Sequence, residues 1–68
     1  MKVTINGEVR ELADGATVAD LVERSGLPNE PRGIAVAIDA EVVPRSAWGR
    51  TELSEGQSVE LLTAIQGG

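Results

Sequence analysis

The first residues of the chain alternate between apolar and polar side chains, with Val3 and Ile5 on the same parity. A period of two residues is typical of a strand with one buried face, so we predict a strand over residues 2–6. The dipeptide Asn6-Gly7 follows, and it favours a two-residue hairpin turn because both central residues of a type I′ turn need positive φ. The chain is therefore expected to open with a β-hairpin.

The strand that returns from this turn is predicted over residues 8–12. Its apolar residues Val9 and Leu12 have opposite parity, so they cannot share one face of a regular strand. The strand must therefore contain a bulge or end early.

An amphipathic helix is predicted to begin at Thr17. Thr17 and Asp20 resemble a capping box, in which the threonine hydroxyl accepts a hydrogen bond from a free backbone N–H of the first turn. Val18, Leu21 and Val22 follow as a stripe at i, i+3 and i+4. The helix has to bury this stripe against a sheet.

The second half of the chain predicts three more strands and one helical turn. The strands are expected over residues 34–38, 41–43 and 58–63, and the helical turn from Pro44 to Trp48. Proline suits the start of a helical turn because its φ is already close to the helical value.

This order of elements predicts an α+β fold of the ubiquitin-like β-grasp type, with one main helix on a mixed sheet of four to five strands. A right-handed crossover then places the N- and C-terminal strands in the centre of the sheet, parallel to each other. We expect residues 1–63 to form this domain and residues 64–68 to form a flexible C-terminal tail. The predicted core consists of Val3, Ile5, Leu12, Val18, Leu21, Val22, Leu27, Ile34 or Val36, Ile38, Val59 and Leu61.

The sheet face away from the helix is predicted to carry small and apolar side chains. Alternation in the last strand turns Glu60, Leu62 and Ala64 towards this face. Ala35 and Ala37 of another strand lie on it as well. A shallow apolar strip that leads into the tail is typical of a protein contact. Scattered apolar surface residues without a role are the alternative.

The composition of the chain argues against several classes of function. A net charge of −5 and scattered cations disfavour nucleic acid, and no apolar run is long enough to span a membrane. Histidine and cysteine are absent, so nucleophilic triads, zinc sites and thiol chemistry lack their usual residues. We therefore expect a protein that is not an enzyme. The absence of cysteine also fits a reducing cytoplasm.

The chain ends in Gly67-Gly68. Because glycine has no side chain, such a terminus is thin and pliable, and it can place its carboxylate inside the active site of another protein. At about 3.3 Å per residue, the five residues after the last strand reach at most ~17 Å. The alternative is a chance pair of glycines at a disordered terminus.

The chain resembles the ThiS family, the sulfur carriers of thiamin biosynthesis, over essentially its whole length. The residues that carry the resemblance are Val36-Ala37-Ile38, Val42-Val43-Pro44-Arg45-Ser46, Trp48, Leu53, Gly56, Val59-Glu60-Leu61 and Gly67-Gly68. The Val-Pro-Arg-Ser-x-Trp run and the Gly-Gly end are the most specific of these.

This resemblance implies a role for the tail. An E1-like adenylating enzyme (ThiF-like) would attach AMP to the Gly68 carboxylate with ATP and Mg, neither of which this chain would bind itself. A sulfur donor protein would then convert Gly68 into a thiocarboxylate. The tail, with Ile65, Gln66 and Gly67, would next enter the tunnel of a thiazole synthase (ThiG-like).

Two residues of the Val-Pro-Arg-Ser-x-Trp run have less specific interpretations. Arg45 is either a partner-docking residue or a solvated arginine, and Trp48 is expected to be a peripheral core residue.

Two departures from the commonest ThiS pattern stand out. Asp39-Ala40 replaces a frequent Asn-Gly turn, so a residue with a Cβ occupies a position that favours positive φ, at a cost of about 1 kcal/mol, or the turn differs. Gln66 stands where a smaller residue is common.

The alternatives to a thiamin carrier are a MoaD-like sulfur carrier for molybdopterin or another sulfur-transfer pathway, and a β-grasp binding module whose tail is inert.

Overall fold

A computed structural model describes residues 1–25 and 33–63 of the chain. The elements in chain order are β1 (Lys2–Ile5), β2 (Glu8–Glu11), α1 (Val18–Arg24), β3 (Ile34–Ile38), β4 (Glu41–Val43), a 3₁₀ helix (Arg45–Arg50) and β5 (Ser58–Thr63). The strands form one five-stranded sheet in the order β2-β1-β5-β3-β4. Strands β1 and β5 are parallel neighbours, whereas the other neighbouring pairs are antiparallel. The predicted β-grasp fold is confirmed.

The second strand ends early, which resolves its conflict of parity. Strand β2 stops at Glu11, with Val9 exposed and Leu12 half-buried beyond the strand end. The Leu12 N–H donates to the Met1 carbonyl over 2.7 Å, so the chain stays paired while its side chain turns towards the core. Of the two alternatives, the early end is therefore the one that the chain adopts.

The capping box of α1 is also confirmed. The Asp20 N–H donates to the Thr17 hydroxyl oxygen over 3.2 Å, and the Thr17 N–H donates to the Asp20 carboxylate over 3.0 Å. Two N–H groups that a helix start leaves without intrahelical partners are thereby satisfied. The apolar stripe of α1 (Val18, Leu21 and Val22) is buried against the sheet as predicted.

The core contains two residues that the prediction did not include. The buried set is Val3, Val18, Leu21, Val22, Ile34, Val36, Trp48, Leu53, Val59 and Leu61, with Ile5, Leu12 and Ile38 packed against it. Trp48 is fully part of the core rather than peripheral, and Leu53, in the irregular segment before β5, is 4% exposed. Both Ile34 and Val36 are buried because they share one parity. Leu27 lies outside the described residues.

The segment after β4 forms a longer helix than predicted. The 3₁₀ helix spans Arg45–Arg50, and Pro44 occupies its N-cap with extended φ and ψ instead of its first turn. Trp48 in this helix donates its indole N–H to the Val43 carbonyl over 3.0 Å. This bond lets the polar edge of the ring be buried together with its apolar surface.

Two tight turns have the positive φ values of type I′ geometry. Asn6 and Gly7 have φ of 51° and 85°, and Asp39 and Ala40 have φ of 49° and 73°. The prediction that Asp39-Ala40 occupies a turn with positive φ is confirmed. Alanine is strained at this φ because its Cβ approaches a neighbouring carbonyl oxygen.

We therefore expect Ala40→Gly to stabilise the domain by about 0.5–1 kcal/mol, since glycine removes the Cβ strain at some cost in chain entropy. Chemical denaturation followed by far-UV circular dichroism measures this change. Ala35→Gly is the matched control: Ala35 lies in the interior of β3, where glycine should destabilise the domain. An Ala40→Gly variant that loses stability as the control does would contradict the strain at this turn.

Candidate functional site

The sheet face opposite α1 carries an apolar strip. Cross-strand partners lie on the same face of a sheet, and the register pairs Ala35 with Leu62 and Ala37 with Glu60. Ala35, Glu60 and Leu62 are exposed and Ala37 is half-buried, and 59% of Leu62 is exposed. The structure thus brings these four predicted residues together on the face away from the helix.

Val42 extends this strip, and the sequence interpretation missed it. Strand β4 places Val42 directly opposite Ala37, and 71% of Val42 is exposed. The missed signal was the pairing register across the Asp39-Ala40 turn, which puts Val42 and Ala37 on one face. We call Ala35, Ala37, Val42, Glu60 and Leu62 the outer strip. Ala64, predicted to belong to it, lies outside the described residues.

Arg45 does not join the outer strip. The chain turns at Pro44 into the 3₁₀ helix, which packs against α1 on the other side of the sheet. There Arg45 lines a groove with Glu23 and Trp48, and its guanidinium carbon lies 5.1 Å from the centre of the Trp48 ring. This distance is within the range of a cation–π contact. Arg45 and the outer strip therefore lie on different sides of the sheet, and a docking role for Arg45 stays a prediction.

The last described residue, Thr63, is still part of the sheet. It is the partner of Ile34 in the antiparallel pairing of β3 and β5. The tail therefore begins beside Leu62 of the outer strip, at the same end of β5. Ile65, Gln66, Gly67 and Gly68 lie outside the described residues, and their roles stay predictions.

At the opposite end of the sheet, the N-terminal amine of Met1 forms ion pairs with acidic side chains. The Met1 amine donates to the Glu11 carboxylate over 3.1 Å and lies 3.6 Å from Asp14. The pKa of the Met1 amine is raised, chiefly by this hydrogen bond to Glu11 and further by the negative charges of Glu11, Asp14 and Glu55.

Residues 1–25 and 33–63 contain no cluster of carboxylates that could hold a metal ion. None of the helices among them is long and apolar enough to cross a membrane.

A model of the ThiS family matches residues 3–68, which include the outer strip, the Gly-Gly end and all described strands except the first residue of β1. The chain belongs to the ThiS family. Its resemblance to that family, inferred from the Val-Pro-Arg-Ser-x-Trp run and the Gly-Gly end, is confirmed.

Relatives in the ThiS family occur both as separate proteins and within a longer one. The chain is 32% identical over 68 residues to the sulfur carrier protein ThiS of Escherichia coli, covering 100% of both. It is also 34% identical over 68 residues to a thiazole synthase of Paramagnetospirillum magneticum, of which it spans only 20%.

Solved ThiS structures share the fold. The crystal structure of the thiamine biosynthesis protein ThiS from Geobacter metallireducens superposes with a TM-score of 0.81 at 27% identity, covering 100% of both chains. A solution NMR structure of a thiamine biosynthesis protein from the same organism gives a TM-score of 0.80 at 27% identity, over 100% of this chain and 88% of the other.

Proposed function

We propose that this protein is a sulfur carrier of thiamin biosynthesis, whose Gly68 carboxylate is adenylated and converted to a thiocarboxylate that donates sulfur to thiazole formation. The observation that carries this proposal is the ThiS family match, which runs through the Gly-Gly end at residue 68. The identity to ThiS of Escherichia coli over the full length of both chains supports the same function.

The chemistry requires activation of Gly68. A carboxylate is a poor electrophile because its negative charge and resonance oppose nucleophilic attack. In the proposed first step, a Gly68 oxygen attacks the α-phosphorus of ATP, pyrophosphate leaves, and Gly68 becomes an acyl adenylate. A persulfide sulfur then attacks the carbonyl carbon and AMP leaves. This step forms an acyl disulfide with the donor. A second thiol of the partner proteins then attacks the donor sulfur, forms a disulfide with it and releases Gly68 as the thiocarboxylate. The partner enzymes supply ATP, Mg and the catalytic groups, so the chain acts as a substrate and not as an enzyme.

The proposed partners are a ThiF-like adenylating enzyme, a sulfur donor protein and a ThiG-like thiazole synthase. Support for the last comes from the thiazole synthase of Paramagnetospirillum magneticum, which contains a segment similar to this whole chain. Two domains that are fused in one polypeptide in one organism commonly work together when they are separate proteins in another. We place this ATP-dependent pathway in the cytoplasm, which fits a chain that has no cysteine.

Intact-mass spectrometry tests the proposed function. The protein is incubated with the adenylating enzyme, the sulfur donor, ATP and Mg, and we expect a species heavier by the difference between sulfur and oxygen. Fragmentation should localise this change to Gly68. An unchanged mass under these conditions would support an inert binding module instead. Sulfur that passes to molybdopterin synthesis, and not to thiazole synthase, would identify a MoaD-like carrier.

The outer strip is the proposed docking face for the adenylating enzyme, because it is apolar, exposed and continuous with the start of the tail. Apolar side chains in the centre of an interface contribute most when they are fully desolvated. Glu60 and the net charge of −5 favour a partner with a basic surface.

We expect Leu62→Glu to raise the KM of adenylation about tenfold or more, because a buried unpaired carboxylate opposes docking by roughly 1.4 kcal/mol or more. Val9→Glu is the matched control, since Val9 is 67% exposed on the same sheet face but on the distant strand β2. Its KM should stay within about twofold of the wild-type value. If Leu62→Glu and Val9→Glu raised the KM equally, the outer strip would not be the docking face.

A further inference from the structure

Each edge of β5 is hydrogen-bonded to the side chain of a turn residue. Asn6 and Asp39 each occupy the first central position of a type I′ turn, with φ of 51° and 49°. The Asp39 carboxylate accepts from the Ser58 N–H over 3.0 Å, at the start of β5. The Asn6 carboxamide bonds the backbone of Leu61, near its end. The two turns thus hold opposite ends of the strand that leads into the tail.

The Asn6 contact is a pair of hydrogen bonds. Its Oδ1 accepts from the Leu61 N–H over 2.9 Å, and its Nδ2 donates to the Leu61 carbonyl over 3.2 Å. A carboxamide offers one acceptor and one donor side by side, as a peptide group does. The side chain therefore takes the place of a backbone residue in the pairing with β5.

This substitution is needed because β1 ends before β5 does. The last pairing of these two strands joins Ile5 to Val59, and the Asn6 N–H then donates to the Val59 carbonyl over 2.9 Å. The hairpin turns the main chain away at Gly7. Without the carboxamide, the Leu61 N–H and carbonyl would lose these two hydrogen bonds. Asn6 extends the paired edge of β5 by two residues.

We infer that Asn6 is a positioning residue for the tail. By fixing Leu61 on the β1 side, Asn6 holds Leu62 opposite Ala35 in the outer strip and sets the point from which the tail departs. Asn6 acts through the backbone of Leu61, to which its side chain is hydrogen-bonded. This inference rests on the proposed carrier function, because it concerns how Gly68 is presented to the adenylating enzyme.

Loss of the carboxamide should loosen the end of β5 without unfolding the domain. Residues from Leu61 onward would then be held by β3 alone, and the end of the strand would open more often. A partner that binds only molecules in which the end of β5 is paired has an apparent affinity proportional to the fraction of such molecules. The effect should therefore fall on the KM of adenylation and leave kcat, which reports the bound complex, nearly unchanged.

The test compares Asn6→Gly with Asp39→Gly. Glycine keeps the positive φ in both turns, and each change deletes the side-chain bonds to β5. The deciding readout is amide exchange at Leu62, whose N–H faces β3 because that of Leu61 faces Asn6. We expect Leu62 to exchange at close to the rate of an unprotected amide in Asn6→Gly, because a KM raised about fivefold means that only about one molecule in five keeps the end of β5 paired. In Asp39→Gly the exchange rate should stay within about twofold of wild type.

Kinetics of ATP–pyrophosphate exchange with the adenylating enzyme give the second readout. The KM should rise about fivefold for Asn6→Gly with kcat within about twofold, and Asp39→Gly should keep both values near wild type. Unchanged Leu62 exchange, or equal KM shifts in the two variants, would overturn the positioning role. If the wild-type protein is not adenylated, the carrier function fails, and Leu62 exchange alone decides whether Asn6 holds the end of β5.

Discussion

Replacing Gly68 with alanine is expected to abolish adenylation of the protein while leaving its β-grasp domain folded. In the proposed mechanism the adenylating enzyme accepts the tail as bare backbone, so a methyl group beside the reacting carboxylate would displace it. A displacement of about 1 Å at the reacting atoms can lower a rate by about a hundredfold. We therefore expect AMP transfer to Gly68→Ala to fall by about a hundredfold or more. The domain should keep its stability, because all of its described core lies within residues 3–61.

Gly49→Ala is the matched control for this change. Gly49 belongs to the 3₁₀ helix, and a Cβ added there meets no atom within 4 Å. ATP–pyrophosphate exchange measures adenylation, and thermal unfolding followed by circular dichroism measures the fold. We expect Gly49→Ala to match the wild type in both measurements. Normal AMP transfer to Gly68→Ala would refute the proposal that Gly68 is the reacting residue.

Residue alternation was sufficient to predict β3 and β5 and the faces on which their side chains lie. Strands β3 and β5 run over the residues that parity assigned to them. In β5 the same alternation buries Val59 and Leu61 under the helix and exposes Glu60 and Leu62 on the outer strip. The core and the candidate docking face are therefore two results of one local pattern.

Leu53 shows where local patterns were insufficient. It lies in an irregular segment next to turn residues, with no periodicity to indicate burial. Its backbone N–H donates to the Ala16 carbonyl over 2.8 Å, and the Val18 N–H donates to the Thr51 carbonyl over 2.9 Å. These bonds fasten the segment to the start of α1 and turn Leu53 inward. Contacts between residues so far apart in sequence leave no signal in the pattern of either segment.

The position of Arg45 also could not be predicted from local patterns. The sequence indicated a helical turn after Pro44 but not the side of the sheet on which it packs. That side is decided by Trp48, the only aromatic residue of the chain, whose burial requires the space beside α1. Arg45 lies three residues earlier in the same helix and is carried to that side with it. The position of one large side chain thus places the Arg45 charge on the side of the sheet away from the outer strip.

Replacing Trp48 with alanine is expected to have the largest effect on stability. Trp48 is 6% exposed, lies against α1 and contacts the Arg45 guanidinium. Truncation of a buried tryptophan to alanine costs about 3–5 kcal/mol, because the transfer energy of the ring is lost and a cavity remains. A domain of this length has a total stability of only about 3–10 kcal/mol. We therefore expect Trp48→Ala to lose most of the stability of the domain and to be largely unfolded at 37 °C.

Trp48→Phe separates the ring from its hydrogen bond. Phenylalanine keeps an aromatic ring in the core but leaves the Val43 carbonyl without the indole N–H that now donates to it over 3.0 Å. Loss of that bond should cost about 1–2 kcal/mol, so this variant should fold with a lower midpoint of denaturation. Urea denaturation followed by far-UV circular dichroism compares the three proteins, since fluorescence is lost with the only tryptophan. If Trp48→Ala unfolded at the wild-type midpoint, the 3₁₀ helix would contribute nothing to the core. If the Phe and Ala variants lost equal stability, the hydrogen bond and not the ring would account for the role of Trp48.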